Sequence, residues 1–213
     1  RDLHSFPTRR SSDLKAIPAE AKAIETPDKA NAMWVAGLPV QMKDTDADYP
    51  ALMLGNYIMG SSGMGSRLFA RIRTKEGLSY GVGSAFSGTP TEDVQMLFAY
   101  AICAPENALK VEASFKDELA QIISKGYTQE EVDAAKKSWM QSRQVSRAQD
   151  RELAGRMQSQ RFFGRTMAFD AEMEAKVMAV TPAQIQAAMK KYFDAAKMSF
   201  YRAGDFKRVN VTW

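Results

Sequence analysis

Metal and nucleophilic chemistry leans on histidine and cysteine, and this chain has one of each, His4 and Cys103. A single His and a single Cys cannot build a tetrahedral zinc site, a haem-attachment motif, a Cys–Cys redox pair or a disulfide. A Ser–His or Cys–His pair would have to run through His4. The most distinctive spacing lies in Leu54–Gly83, LGNYIMGSSGMGSRLFARIRTKEGLSYGVG. Its glycine run, Gly60 to Gly65, invites a phosphate cradle. The Lys-Ser/Thr ending of a P-loop is missing, however, and no buried-strand run comes immediately before it. A turn that permits helix packing explains it better. A basic group also stands out: Arg143, Arg147 and Arg151 recur at four-residue spacing, with Lys136, Lys137, Arg156 and Arg161 nearby. Such a stripe can meet nucleic-acid phosphates. Asp133, Asp150 and Glu152 interrupt it, and a solvated helix face is the simpler account, so nucleic acid is not the expected partner.

These residues need a frame, and the chain is long enough to supply one. Its 213 residues, 45% hydrophobic and 25% charged, suit one good-sized domain or two small ones. The net charge of +4 comes from 29 basic and 25 acidic residues, which permits an acidic partner without requiring one. No apolar run approaches the ~18 residues that cross a bilayer, so no membrane partner is expected. The first residues, RDLHSFPTRRSSDLK, lack the apolar centre of a signal peptide.

Alternating apolar residues predict strands at Ala32–Val40, Leu78–Ser87, Val94–Cys103 and Met198–Arg202, the middle two forming a hairpin around Gly88 and Pro90. Segment Leu97–Ile102 reads equally well as an edge strand or a central one. Helical spacing predicts Tyr49–Met59, capped by Asp46–Asp48, and a short helix Arg67–Glu76 ended by Gly77. Longer helices follow: Pro105–Lys125, and a stretch from the Thr128/Glu131 capping box to about Phe163, with a break near Gly155. Two more are expected at Phe169–Ala179 and from the Thr181/Gln184 box to Tyr192. Helices set against hairpin strands, rather than alternating with them, argue for an α+β fold: a mainly antiparallel sheet with helices packed on one face. Trp34 and Trp139 read as core or interface anchors, Cys103 as a buried small hydrophobe, and Met53, Met59, Met64 and Met96 as core gap-fillers.

The N-terminus fits no element. Residues His4 to Leu14, HSFPTRRSSDL, resemble a translated sequencing adapter. Residues 1–14 are therefore expected to be an artefact, with native sequence continuing upstream and no native histidine left. On this reading 15–30 is a linker or the tail of a preceding domain, 31–206 the domain itself, and 207–213 a tail.

The segment Leu54–Gly83, with its glycine-rich turn, S-R-L-F and R-x-K-x-G-L-x-Y-x-V, resembles the pitrilysin/insulinase family of zinc peptidases, and specifically their non-zinc domain. The likeness extends over roughly residues 30–206. In that family two similar domains face one another around a chamber, and only one carries H-x-x-E-H. That motif is absent here. The resemblance therefore implies no metal in this chain, zinc on a partner domain that is either fused upstream or separate, and peptide as substrate. It also implies that Arg73 and Tyr80, seven residues apart, complete the partner's active site, with a weaker substrate contact from Gly63, Met64, Gly65 and Ser66. On their own, Arg73 reads as a solvated helix residue and Tyr80 as a strand aromatic with a wet hydroxyl. By family analogy alone the location is bacterial and extracytoplasmic. Two alternatives stay open: a catalytically silent domain that only shapes a chamber, and a nucleic-acid-binding helix.

Overall fold

The computed structural model describes residues 18–211, so the adapter-like segment lies outside the described residues. Strands β1 (Ala21–Glu25) and β2 (Ala32–Gln41) lead into helix α1 (Tyr49–Asn56). The chain then winds through two π-helical stretches, Tyr57–Ser61 and Phe69–Lys75, on either side of a tight 3₁₀ turn at Gly63–Gly65. Strands β3 (Ser79–Gly88) and β4 (Val94–Cys103) form the expected hairpin. Five helices follow: α2 (Ala108–Lys125), α3 (Gln129–Arg147), α4 (Asp150–Phe162), α5 (Met167–Ala179) and α6 (Pro182–Tyr192). Strand β5 (Ser199–Gly204) closes the sheet, whose order is β1-β5-β2-β4-β3.

Four strands pair antiparallel and β1 adds in parallel to β5, so the sheet is mainly antiparallel as the α+β pattern implies. Its two faces differ sharply. Ala32, Trp34, Ala36 and Leu38 of β2 lie opposite Cys103, Ala101, Ala99 and Leu97 of β4, and all are buried beneath the helices. Trp34 packs on Phe115 of α2 with ring centroids 5.0 Å apart and donates its indole N–H to Glu112 at 3.2 Å. The neighbouring positions, among them Met33, Met96, Phe98 and Ile102, stand exposed on the other face.

Several elements depart from expectation. Residues 21–25, whose polarity suggested part of a linker, form an edge strand. Of the two open readings of Leu97–Ile102, the central strand holds, since β4 is flanked by β2 and β3. The long helix breaks at Ala148–Gln149 and not near Gly155, where α4 runs unbroken. Asp48 does not cap α1 with its side chain; its carboxylate takes Lys191 Nζ at 2.8 Å and the Tyr192 hydroxyl at 3.2 Å. Met59 fills the core as expected, whereas Met64 and Met96 are exposed. Both capping boxes, Thr128/Glu131 and Thr181/Gln184, form with both of their hydrogen bonds.

Candidate functional site

Arg73 and Tyr80 lie on the two arms of one tight connection. Arg73 is in the π-helical stretch Phe69–Lys75, and Tyr80 is at the start of β3. Between them Gly77 adopts φ +64°, a left-handed conformation that costs a side-chain-bearing residue free energy. Backbone bonds from Glu76 N–H to the Arg71 carbonyl (3.0 Å) and from Leu78 N–H to the Ile72 carbonyl (2.9 Å) close the connection. The expected short α-helix is thus mostly π-wound, and such wide turns recur at functional positions because they redirect side chains.

The neighbouring arginines are used inside the fold. Arg67 grips Glu131 through Nε at 2.7 Å and Nη2 at 2.8 Å, and sits 4.8 Å above the Tyr127 ring. That hydrogen bonding holds the Glu131 carboxyl below its ordinary pKa, against burial acting the other way. Arg71 meets Glu76 at 3.1 Å, Glu118 at 3.3 Å and Asp117. Arg73 differs. It is exposed, its guanidinium lies 4.8 Å over the Phe69 ring, and no carboxylate answers its charge among the described residues. Stacking on an aromatic face holds the group in place while leaving its donors free. The i to i+4 step from Phe69 to Arg73 is the sequence signal for this stacking. Tyr80 is 65% exposed, and its hydroxyl has no hydrogen-bond partner among the described residues.

The glycine-rich turn is partly committed to structure. Ser66 is fully buried; its hydroxyl donates to the Gly63 carbonyl at 2.7 Å and accepts from Phe69 N–H at 3.3 Å. It caps the turn, and of the four residues expected to meet substrate Gly63, Met64 and Gly65 are on the surface, Met64 at 81% exposure. Gly60 allows the close approach behind them: a Cβ there would come within 2.3 Å of Ser84 Oγ.

Three arginines of the basic group are neutralised within the fold. Arg143 pairs with Glu174 at 2.5 Å and Asp170 at 3.5 Å, Arg147 with Glu174, and Arg156 with Asp170 at 3.3 Å. Burial raises the Glu174 pKa, but the hydrogen bonds from Arg143 and Arg147 outweigh it and hold the carboxyl ionised. Cations already neutralised in this way have little left to offer phosphates. No group of three or more His, Cys, Asp or Glu could hold a metal among the described residues. Cys103 is buried, and burial followed by the Glu106 charge pushes its thiol up to about 11. No helix among the described residues is long and apolar enough to cross a membrane.

Comparison with known proteins identifies the family. An uncharacterized zinc protease of Streptomyces coelicolor is 31% identical over 154 residues, 72% of this chain and 32% of the relative. The non-peptidase homolog YmxG of Helicobacter pylori is 33% identical over 112 residues, 52% of this chain and 25% of the relative. Among solved structures, a peptidase M16 inactive domain from Pseudomonas fluorescens superposes with TM-score 0.76 at 28% identity, covering 88% of this chain and 44% of that one. This chain thus spans less than half the length of each of these proteins. The family described as Peptidase M16 inactive domain matches residues 5–138, a match that begins inside the adapter-like segment. With more than half of the chain matched, and the fold in agreement, this chain belongs to the peptidase M16 family as its inactive domain.

Proposed function

We propose that this chain works as the non-zinc half of a pitrilysin-type peptidase, closing a peptide chamber and reaching across with Arg73 and Tyr80. The observation that carries the reading is the unanswered pair at one corner. An exposed guanidinium fixed on Phe69 and an exposed phenol without a partner stand either side of Gly77, while nearby Arg67 and Arg71 are fully engaged. The metal, held by the other half, supplies Lewis-acid activation of water and carbonyl. Hydrolysis of an amide builds negative charge on the carbonyl oxygen, and the Tyr80 hydroxyl is suited to donate a hydrogen bond to it. Arg73 has a planar fork of donors suited to holding a neighbouring substrate carbonyl.

The open sheet face supports a partner of this kind. Strand pairing lines up Ile24, Ala203, Met33 and Ile102 in one row, which ends at Gly81 beside Tyr80. Ile24, Met33 and Ile102 are exposed, as is Phe98 further along β4 on the same face. An apolar face continuous with the proposed site fits coverage by the zinc-bearing half, and this chain accounts for only 32% of its Streptomyces relative. The test is kinetic, in the complete protein with its zinc-bearing half. Tyr80→Phe and Arg73→Ala should each lower turnover of an unstructured peptide, by about 100-fold for the lost oxyanion donor, without moving the thermal midpoint. The kinship with a non-peptidase homolog favours a second reading, a chamber domain without a catalytic part. Full activity in both variants would establish that reading in place of the first.

A further inference from the structure

Tyr80 is not on a regular stretch of strand. Ser79 pairs with Cys103 and Gly81 with Ile102, so Tyr80 is the extra residue of a β-bulge with no partner across the ladder. The insertion lets Ser79 and Val82 both face the core, where strict alternation would send one of them out. Bulges re-aim a side chain and cluster beside active sites, yet they disrupt the ladder and need something to hold them. Here that something is the Ser79 hydroxyl, on a side chain buried against the sheet. It accepts from the Gly81 N–H at 3.1 Å, and its own hydrogen faces the carbonyls of Ile102 at 2.8 Å and Gly81 at 2.7 Å. One hydroxyl therefore ties both strands together at the point where their register slips. A Cβ on Gly81 would meet nothing within 4 Å, so the space on that side of the bulge is open.

We infer that Ser79 is a positioning residue for Tyr80: its hydroxyl locks the bulge that turns the phenol outward from the edge strand. The inference rests on the proposed role of Tyr80 and adds the residue that sets its aim. Ser79 touches no substrate; it acts through Tyr80.

The experiment measures kcat and KM for an internally quenched unstructured peptide in the complete protein. Ser79→Ala is made alone and in a Tyr80→Phe background. Ser79→Ala should lower kcat by about 10- to 100-fold with little change in KM, the range expected for small misplacement of a catalytic group. In the Tyr80→Phe background it should cost almost nothing more, and Ser79→Thr, which keeps a hydroxyl, should recover most of the rate. Equal losses in both backgrounds would overturn the inference, because Ser79 would then support the fold rather than the phenol. If Tyr80→Phe alone leaves turnover intact, the role proposed for Tyr80 fails, and amide hydrogen exchange decides on Ser79 separately. Faster exchange over residues 79–83 in Ser79→Ala upholds the lock. Unchanged exchange there overturns it.

Discussion

The α3–α5 arm and the corner between Phe69 and Tyr80 both present arginines; the arm pairs Arg143, Arg147 and Arg156, whereas the corner pairs Arg71 and leaves Arg73 without a carboxylate among the described residues. In the arm, Arg143, Arg147 and Arg156 project from regular α-helices onto Glu174 and Asp170. At the corner the backbone is irregular twice within twelve residues, π-wound through Phe69–Lys75 and bulged at Tyr80. There the guanidinium of Arg73 rests on Phe69 with no carboxylate, and the Tyr80 hydroxyl is unpaired among the described residues. The regular region uses its charges to hold itself together. The irregular one holds its backbone through Gly77, Ser66 and Ser79 and its Arg71 through ion pairs, and leaves Arg73 and Tyr80 without a hydrogen-bond or ion-pair partner among the described residues. Residue type alone does not separate the two roles; whether the charge is answered within the fold does.

Breaking the arm's carboxylate should have the largest effect on stability. Glu174→Ala leaves Arg143 and Arg147 short of their shared acceptor and should cost about 2 kcal/mol, read from the denaturant midpoint, with turnover of the complete protein unchanged. A loss of turnover without a loss of stability would erase the distinction between the regions. Gly77→Ala sharpens the other side. A side chain at φ +64° should cost about 1–2 kcal/mol, and turnover should fall by more than that destabilisation explains, because the connection sets the relation of Arg73 to Tyr80. Normal turnover in a merely less stable variant would count against that geometry.

Smaller differences separate Arg71 from Arg73. Arg71→Ala should destabilise by about 1 kcal/mol through its ion-pair cluster, whereas Arg73→Ala should stay within about 0.5 kcal/mol of the parent in thermal unfolding. A reversed order would mean that Arg73 is the structural residue. The smallest expected effect is on acid stability, and both regions share it. Glu131, beside Arg67, and Glu174, in the arm, have folded-state pKa values below the ordinary 4.5. Below that value the unfolded chain takes up protons before the folded one, so stability should be full above about pH 5 and decline as pH falls further. Glu131→Gln and Glu174→Gln should each flatten the decline, and an unaltered profile in both would show that these pairs contribute nothing.

The regular region was the legible one. Both capping boxes, the hairpin and the buried faces of β2 and α2 follow from period and end signals that act locally. Strand β1 was hidden because AKAIE is short, polar and at an edge, its place set by pairing with Phe200–Gly204 and not by its own pattern. The π winding was hidden because Leu68, Phe69 and Ile72 fit an α-helical stripe equally well. Nothing in GLSYGVG announces a bulge, since glycines blur the alternation that would reveal one extra residue. Arg73 and Tyr80 came from resemblance to a family motif and not from period. The pairing of Arg143 and Arg147 was not legible because their carboxylates, Asp170 and Glu174, lie on α5, far along the chain from α3.

The most direct test of the central claim is a crystal structure of the complete protein, zinc-bearing half included, with a non-cleaved peptide analogue in the chamber. The account predicts the Tyr80 hydroxyl about 3 Å from the carbonyl oxygen at the scissile position, the distance a donor to the developing charge needs, with the Arg73 guanidinium on a neighbouring peptide carbonyl. Tyr80 and Arg73 directed into solvent, away from a peptide correctly seated on the zinc half, would contradict it.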